Sequence, residues 1–381
     1  MAEGTRQSEV KLNGRGGDGK NQRDGDKTMN LMLNVLGTCI VGCAALGTLA
    51  ACSTDPVSGN ANPVFVSAVQ KEPIQTGYSL SNSLASEKTK AVYRFLCENY
   101  GKKIISGQQE STWMGSPEYE MNLIQQETGK LPAMRGFDYM NDDFAGVTAR
   151  AKEWWNRGGL VTICWHVGIF GGAFRESQND VPDFQLLLDE ETEEHRRMVA
   201  KWDQAARSLA ELQDAGVVVQ WRPFHEFDGG WFWWGKGSPD DFIRLWHMMY
   251  KRFTEEFHLN NLIWVLGYSG EVKDGWYVGD EYCDIIGSDT YDGTEHRNGW
   301  DKLLRVGSKN KPFAFHECGK LPSIHGFVEK DCLWSWFLIW HTTWANANRG
   351  ALLREFYNDE RVLTLEDIKL ETSLFQAETH N

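Results

Sequence analysis

Short apolar runs rich in β-branched and aromatic residues recur along the chain from residue 104, each separated from the next by a stretch of helical pattern. Eight are legible: Ile104–Gln109, Pro132–Asp138, Leu160–His166, Val217–Glu226, Asn261–Tyr268, Cys283–Tyr291, Pro312–Gly319 and Leu333–Trp340. Between them apolar positions recur every three or four residues, most clearly over Glu194–Ala215, which stops at Gly216, and over Asp240–Phe257. Strand alternating with helix eight times predicts an α/β fold, a (β/α)8 TIM barrel forming one domain over residues 77–375. In such barrels functional groups gather at the carboxyl ends of the strands. Here those ends carry Gln109 and Glu110, Asp138, Trp165 and His166, His225 and Glu226, Asp289 and Tyr291, His316 and Glu317, and Trp340.

The amino end follows no such pattern. Residues 1–28 are polar and Gly-rich, and Leu31–Leu49 is apolar but broken by Asn34, Gly37, Gly42 and Gly47. This reads as the apolar region of a signal peptide, not a membrane span. Leu49-Ala50-Ala51-Cys52 resembles a bacterial lipobox, in which Cys52 takes the lipid after cleavage. Residues 1–52 are therefore expected to be a polar lead plus a lipoprotein-type signal. Residues 53–76, with Pro56, Gly59 and Pro63, then form a flexible tether. The expected location is the bacterial cell envelope, lipid-anchored or secreted.

Charge narrows the partners. There are 39 Lys plus Arg against 53 Asp plus Glu, a net charge of −14, so the positive surplus that a nucleic-acid backbone rewards is missing. The 17 Trp exceed what core packing usually takes, and indole faces stack well on flat, semi-polar ligands such as sugars. Beyond the signal the cysteines are Cys97, Cys164, Cys283, Cys318 and Cys332, an odd number without a CxxC, which reads as buried thiols with at most one disulfide.

Two carboxylates stand out, Glu226 after His225 on the fourth run and Glu317 after His316 on the seventh. A barrel brings both to one rim, and retaining glycoside hydrolysis needs such a pair, one to protonate the leaving oxygen and one to attack the anomeric carbon. Arg222, on the inward alternation before Glu226, would hold Glu317 ionised or form an interior ion pair with Asp138 or Asp289.

Trp221-Arg222-Pro223-Phe224-His225-Glu226-Phe227-Asp228-Gly229-Gly230-Trp231-Phe232-Trp233-Trp234-Gly235 resembles the acid/base signature of glycoside hydrolase family 26, chiefly β-mannanases built on (β/α)8 barrels. The likeness runs from about residue 104 to 345 through RGFDY, Trp165-His166, NLIWV, GSDTYD and WFLIW. It implies that Glu226 is the acid/base and Glu317 the nucleophile. It also implies that His166, His225 and Trp231 bind substrate, that Tyr291 orients the nucleophile, and that Trp340 forms an aromatic floor. Arg222, placed by its inward alternation, is counted with the substrate-binding candidates. The family commonly has a small hydroxyl residue before the nucleophile and an aromatic after it; this chain has His316 and Cys318. Trp113, Trp154, Trp155, Trp233, Trp234, Trp276 and Trp344 are weaker candidates for further subsites, each more often a packing residue.

The implied activity is retaining cleavage of β-1,4-mannosidic bonds in mannan, glucomannan or galactomannan by a monomer without cofactor or catalytic metal. Mixed-linkage β-glucanase and β-1,3-xylanase activities are the alternatives within the family. A non-catalytic glycan-binding protein has no need of both glutamates. A metal-dependent hydrolase lacks an HExxH-type motif, and serine-hydrolase chemistry lacks GxSxG.

Overall fold

The computed structural model describes residues 79–368. The polar lead, the apolar run, Cys52, the tether and residues 77–78 and 369–375 of the expected domain lie outside the described residues. Eight parallel strands close into a barrel. In chain order they are β1 (Gly107–Gln109), β2 (Met134–Asp138), β3 (Leu160–Cys164), β4 (Val219–Arg222), β5 (Leu262–Tyr268), β6 (Ile285–Thr290), β7 (Phe313–Cys318) and β8 (Phe337–Ile339). Strand β8 returns to β1 through Gln108 and Ile339. Each strand is buried along its whole length, as expected where side chains fill the barrel on one face and meet helices on the other.

The helices form where the sequence pattern places them. Helix α1 (Glu87–Asn99) precedes the barrel, and α2 (Tyr119–Thr128), α3 (Phe144–Asn156), α4 (Glu193–Asp214) and α5 (Pro239–Lys251) follow β1 to β4. Thr192 caps α4 by accepting the His195 N–H, and the helix buries Met198, Trp202, Ala205, Leu209 and Leu212 along one stripe. Ser238 and Asp241 make a capping box on α5 with Pro239 in the first turn, and a π-helical turn over Arg252–Glu256 continues it nearly to the expected end. Helices α6 (Arg297–Val306) and α7 (Ile324–Glu329) follow β6 and β7.

Two features depart from the expected alternation. The run Ile104–Gln109 is two strands, because Ile104–Ile105 pairs with Val362–Leu363 outside the barrel and only Gly107–Gln109 enters it. No helix lies between β5 and β6, where Gly270, Gly275 and Gly279 punctuate the connection. Helix α1 packs on β5 instead. Its Tyr93 hydroxyl donates to the Asp284 carbonyl at 3.0 Å and its Thr89 hydroxyl to the Asn260 carbonyl at 2.9 Å. All five described cysteines are buried and unbridged. Among the described residues, no helix is long and apolar enough to cross a membrane.

Candidate active site

Strands β3 and β4 stop before the chemistry begins. Strand β3 ends at Cys164 and β4 at Arg222, so His166, His225 and Glu226 stand on turns just beyond the sheet. Glu226 and Phe224 both have left-handed backbones, with φ of 54° and 51°. Such conformations cost a non-glycine residue energy and persist only when the surroundings fix them. Here the Glu226 N–H donates to the Gly267 carbonyl at 2.7 Å, and the fully buried Trp234 donates its indole N–H to the His225 carbonyl at 2.8 Å.

Glu317 lies on β7 at an extra residue. Phe315 and Cys318 pair with Ser288 and Thr290 on β6 and with Phe337 and Ile339 on β8, so three steps on β7 match two on each neighbour. This bulge breaks the in-and-out alternation and turns His316 and Glu317 toward the same guanidinium. Arg222 donates to Glu317 Oε1 at 3.1 Å and Tyr291 donates to Oε2 at 2.9 Å. The Glu317 backbone N–H donates to Asp289 Oδ1 at 3.1 Å. Glu226 accepts the Trp231 indole N–H at 2.8 Å, and the Trp231 ring needs Gly229 beneath it, because a Cβ there would lie 2.2 Å from the ring.

Carboxylate oxygens of Glu226, Asp289 and Glu317 lie within 4.8 Å of one another. Burial, and then the negative charges of Asp289 and Glu317, raise the Glu226 acid well above the ordinary carboxylate range. Asp289 is raised as well, by burial and then by Glu317. Arg222 opposes the crowding, through its direct bond to Glu317 and through its charge on Asp289.

A second polar chain runs from Asp138 through His166 to His225. His166 Nδ1 lies 2.6 Å from Asp138 Oδ2, and His166 Nε2 lies 3.1 Å from His225 Nε2. Burial opposes charge on His166, but Asp138, with Glu317 and Glu226 adding to it, turns the direction upward. His225 is driven well below its usual range by burial, and then by the neighbouring His166 and the Arg222 charge. His225 Nδ1 is buried without a protein partner. Trp340, at the end of β8, is half-buried with its ring centroid 5.8 Å from that of His166.

The expected site residues thus gather at one rim. Arg222, counted among the substrate-binding candidates, is fully buried, and its donors meet Thr162, His316, Glu317 and Gln109. Its carboxylate partner is Glu317, while Asp138 is taken by His166. Trp154, Trp155, Trp233, Trp234 and Trp276 are buried packing residues, whereas Trp113 and Trp344 are half-buried. Asp289 and Phe232 were not singled out as site residues. Asp289 has a signal, an acid inside a strand-like run two residues before Tyr291; Phe232, 5.2 Å from His166 and 5.5 Å from His225 by ring centroids, has none. Asp138, Cys164 and His166 also bring metal-ligand atoms within 4.8 Å of one another, but Asp138 already occupies His166 Nδ1, and in the other cluster Arg222 is the cation on Glu317.

The model of glycosyl hydrolase family 26 matches residues 81–367. The chain belongs to this family. A mannan endo-1,4-β-mannosidase of Thermothelomyces thermophilus is 31% identical over 322 residues, 77% of this chain and 64% of its own length. One of Bacillus subtilis is 30% identical over 348 residues, covering 80% and 93% of the two chains. The chain covers only 50% to 64% of the length of four of the curated relatives it matches. Among solved structures, the β-mannanase of a symbiotic protist of the termite Reticulitermes speratus, complexed with gluco-manno-oligosaccharide, superposes with a TM-score of 0.69 at 27% identity. It covers 78% of this chain and 99% of that one. A Bacillus subtilis mannanase gives 0.68 at 28% identity, covering 76% and 96%.

Proposed function

We propose that the protein is a retaining glycoside hydrolase that cleaves β-1,4-mannosidic bonds in mannan-type polysaccharides. The carrying observation is the approach of Glu226 and Glu317 oxygens to within 4.8 Å. Retaining enzymes hold their carboxyl groups about 5–5.5 Å apart, whereas inverting enzymes need roughly 6.5–9.5 Å to admit a water. The different surroundings divide the work. Glu226, kept protonated by burial and negative neighbours, gives its proton to the leaving oxygen. Glu317, held by Arg222 and Tyr291, attacks the anomeric carbon, and the C–O bond to the aglycone breaks as the ester to the enzyme forms. Water activated by the ionised Glu226 then attacks the same carbon and releases Glu317. Trp340 supplies a π-face to the positive charge that develops on the ring, and the unpartnered His225 Nδ1 is available to a sugar hydroxyl.

The mannan preference rests on the names of the relatives, and a panel of mannan, galactomannan, lichenan and β-1,3-xylan tests it, with mannan and galactomannan expected to be cleaved fastest. For the stereochemistry, proton NMR during the first minutes of mannan hydrolysis is expected to show the β-anomer first, with the α-anomer growing in by mutarotation. An α-anomer at the earliest time overturns the assignment of Glu317 as nucleophile.

Anchorage through Cys52 is a separate proposal, supported by Leu49-Ala50-Ala51-Cys52 after the apolar run. Several acyl chains hold a protein at a bilayer where one binds only marginally. Cys52→Ser in the full chain should leave it soluble or unprocessed and still active. A membrane-bound, normally cleaved Cys52→Ser protein would count against the lipobox.

A further inference from the structure

The bulge in β7 turns His316 inward beside Glu317, and the interior makes room for it in a specific way. Gly267 on β5 and Gly287 on β6 are register partners. A Cβ on Gly267 would lie 2.4 Å from His316 Nε2, and one on Gly287 would lie 2.6 Å from His316 Cβ. No other residue type fits opposite this ring. His316 is fully buried, with Nδ1 2.6 Å from Asp289 Oδ1 and Nε2 2.9 Å from Arg222 Nη1.

These contacts form a closed ring. The Glu317 backbone N–H donates to Asp289 Oδ1, which also faces His316 Nδ1; His316 Nε2 faces Arg222 Nη1, which donates to Glu317 Oε1. Both ends of the ring are the same residue, its main chain at one end and its carboxylate at the other. Arg222 has no acceptor sites, so Nε2 must accept from it, and the ring proton must sit on Nδ1 and point at Asp289.

Resting on the reading of Glu317 as nucleophile, we propose that His316 is a positioning residue that fixes Arg222 Nη1 and Asp289 as one unit, so that the Glu317 carboxylate is held from both its backbone and its side chain. The guanidinium is a rigid planar fork: Thr162 lies 3.0 Å from Nε and Gln109 3.3 Å from Nη2, and His316 supplies the neutral acceptor at Nη1, the nitrogen that also donates to Glu317. Burial and the Arg222 charge push the imidazole down to about 3, so it serves as a neutral two-way link.

The two arms can be cut separately. Gln places its amide oxygen near the Nε2 position and can accept from Arg222, whereas Asn places its amide nitrogen near the Nδ1 position and can donate to Asp289. The probe is 2-deoxy-2-fluoro-β-mannosyl fluoride, which forms an ester with the nucleophile as fluoride leaves and needs little acid assistance. Intact-protein and peptide mass spectrometry then gives both the site and the rate. The parent should be labelled on Glu317. His316→Asn should lower the maximal labelling rate by about 100-fold while moving the half-saturating probe concentration little, and His316→Gln should be at least about 10-fold faster than Asn. A second measurement needs no impaired variant: selective 15N-histidine labelling of the parent should show His316 protonated on Nδ1 and bare on Nε2 from about pH 5 to 8. Labelling of both variants at the parental rate, equal losses in Asn and Gln, or a proton on Nε2 each overturns the proposal. A parent that is not labelled on Glu317 overturns the functional reading beneath it.

Discussion

Glu317→Ala is expected to lower kcat/KM by at least about 10⁴-fold on polysaccharide and aryl glycoside alike, equivalent to roughly 5 kcal/mol of transition-state stabilisation. The loss does not depend on the leaving group, because without the carboxylate there is no atom to form the glycosyl–enzyme bond. Arg222 and Tyr291 would remain, turned toward a space with no negative charge to hold. Initial rates on mannan and on 2,4-dinitrophenyl β-mannoside measure this directly. Retention of more than a few per cent of activity on the aryl substrate sinks the nucleophile assignment.

Glu226→Ala should behave differently. On mannan, where the leaving oxygen must be protonated, a loss of about 10³-fold is expected, but bond cleavage in an activated aryl mannoside should fall less than about 10-fold. The glycosyl–enzyme then waits for a base that has been removed. Azide, which needs no deprotonation, should restore turnover and give the β-mannosyl azide as it displaces Glu317. The pH profile carries the same assignment. In the parent, burial and the negative charges of Asp289 and Glu317 stabilise the protonated form of Glu226, so kcat/KM holds where an ordinary glutamate has ionised and falls only as pH rises through the raised value. That alkaline limb should vanish in Glu226→Ala assayed on the aryl substrate. A limb that stays in place belongs to some other group, and the acid would have to be sought elsewhere.

What was legible in the sequence divides along physical lines. Barrel strands show as short β-rich runs because both faces are buried, and α4 and α5 show because their apolar positions recur every three or four residues, α4 up to the stop at Gly216. Glu226 and Glu317 were found because a carboxylate ending such a run is chemically unexpected. The alternation rule failed between β5 and β6, where a helix from elsewhere in the chain covers the flank and no local pattern reports it. The bulge at His316 and Glu317 was hidden for a related reason. A run read at period two assigns neighbours to opposite faces, and only pairing with β6 and β8 reveals the additional residue. Nor does inward alternation say how deep a side chain lies, and the full burial of Arg222 shows only in the structure.

The docking of α1 on β5 also bears on how much of the chain is needed for a barrel to form. The Tyr93–Asp284 bond joins residues 191 apart in sequence, and the Ser81 N–H donates at 2.6 Å to the buried Asp284 carboxylate, which also accepts the Trp264 N–H. Contacts of such separation carry a large closure entropy and tend to form late, after the intervening strands have collapsed. A fragment starting at residue 101 would contain every barrel strand yet leave the apolar side of β5 and a raised-pKa carboxylate open to water. The autonomous folding unit therefore begins upstream of the first strand, and the helix that seals its middle is the earliest described helix to be synthesised.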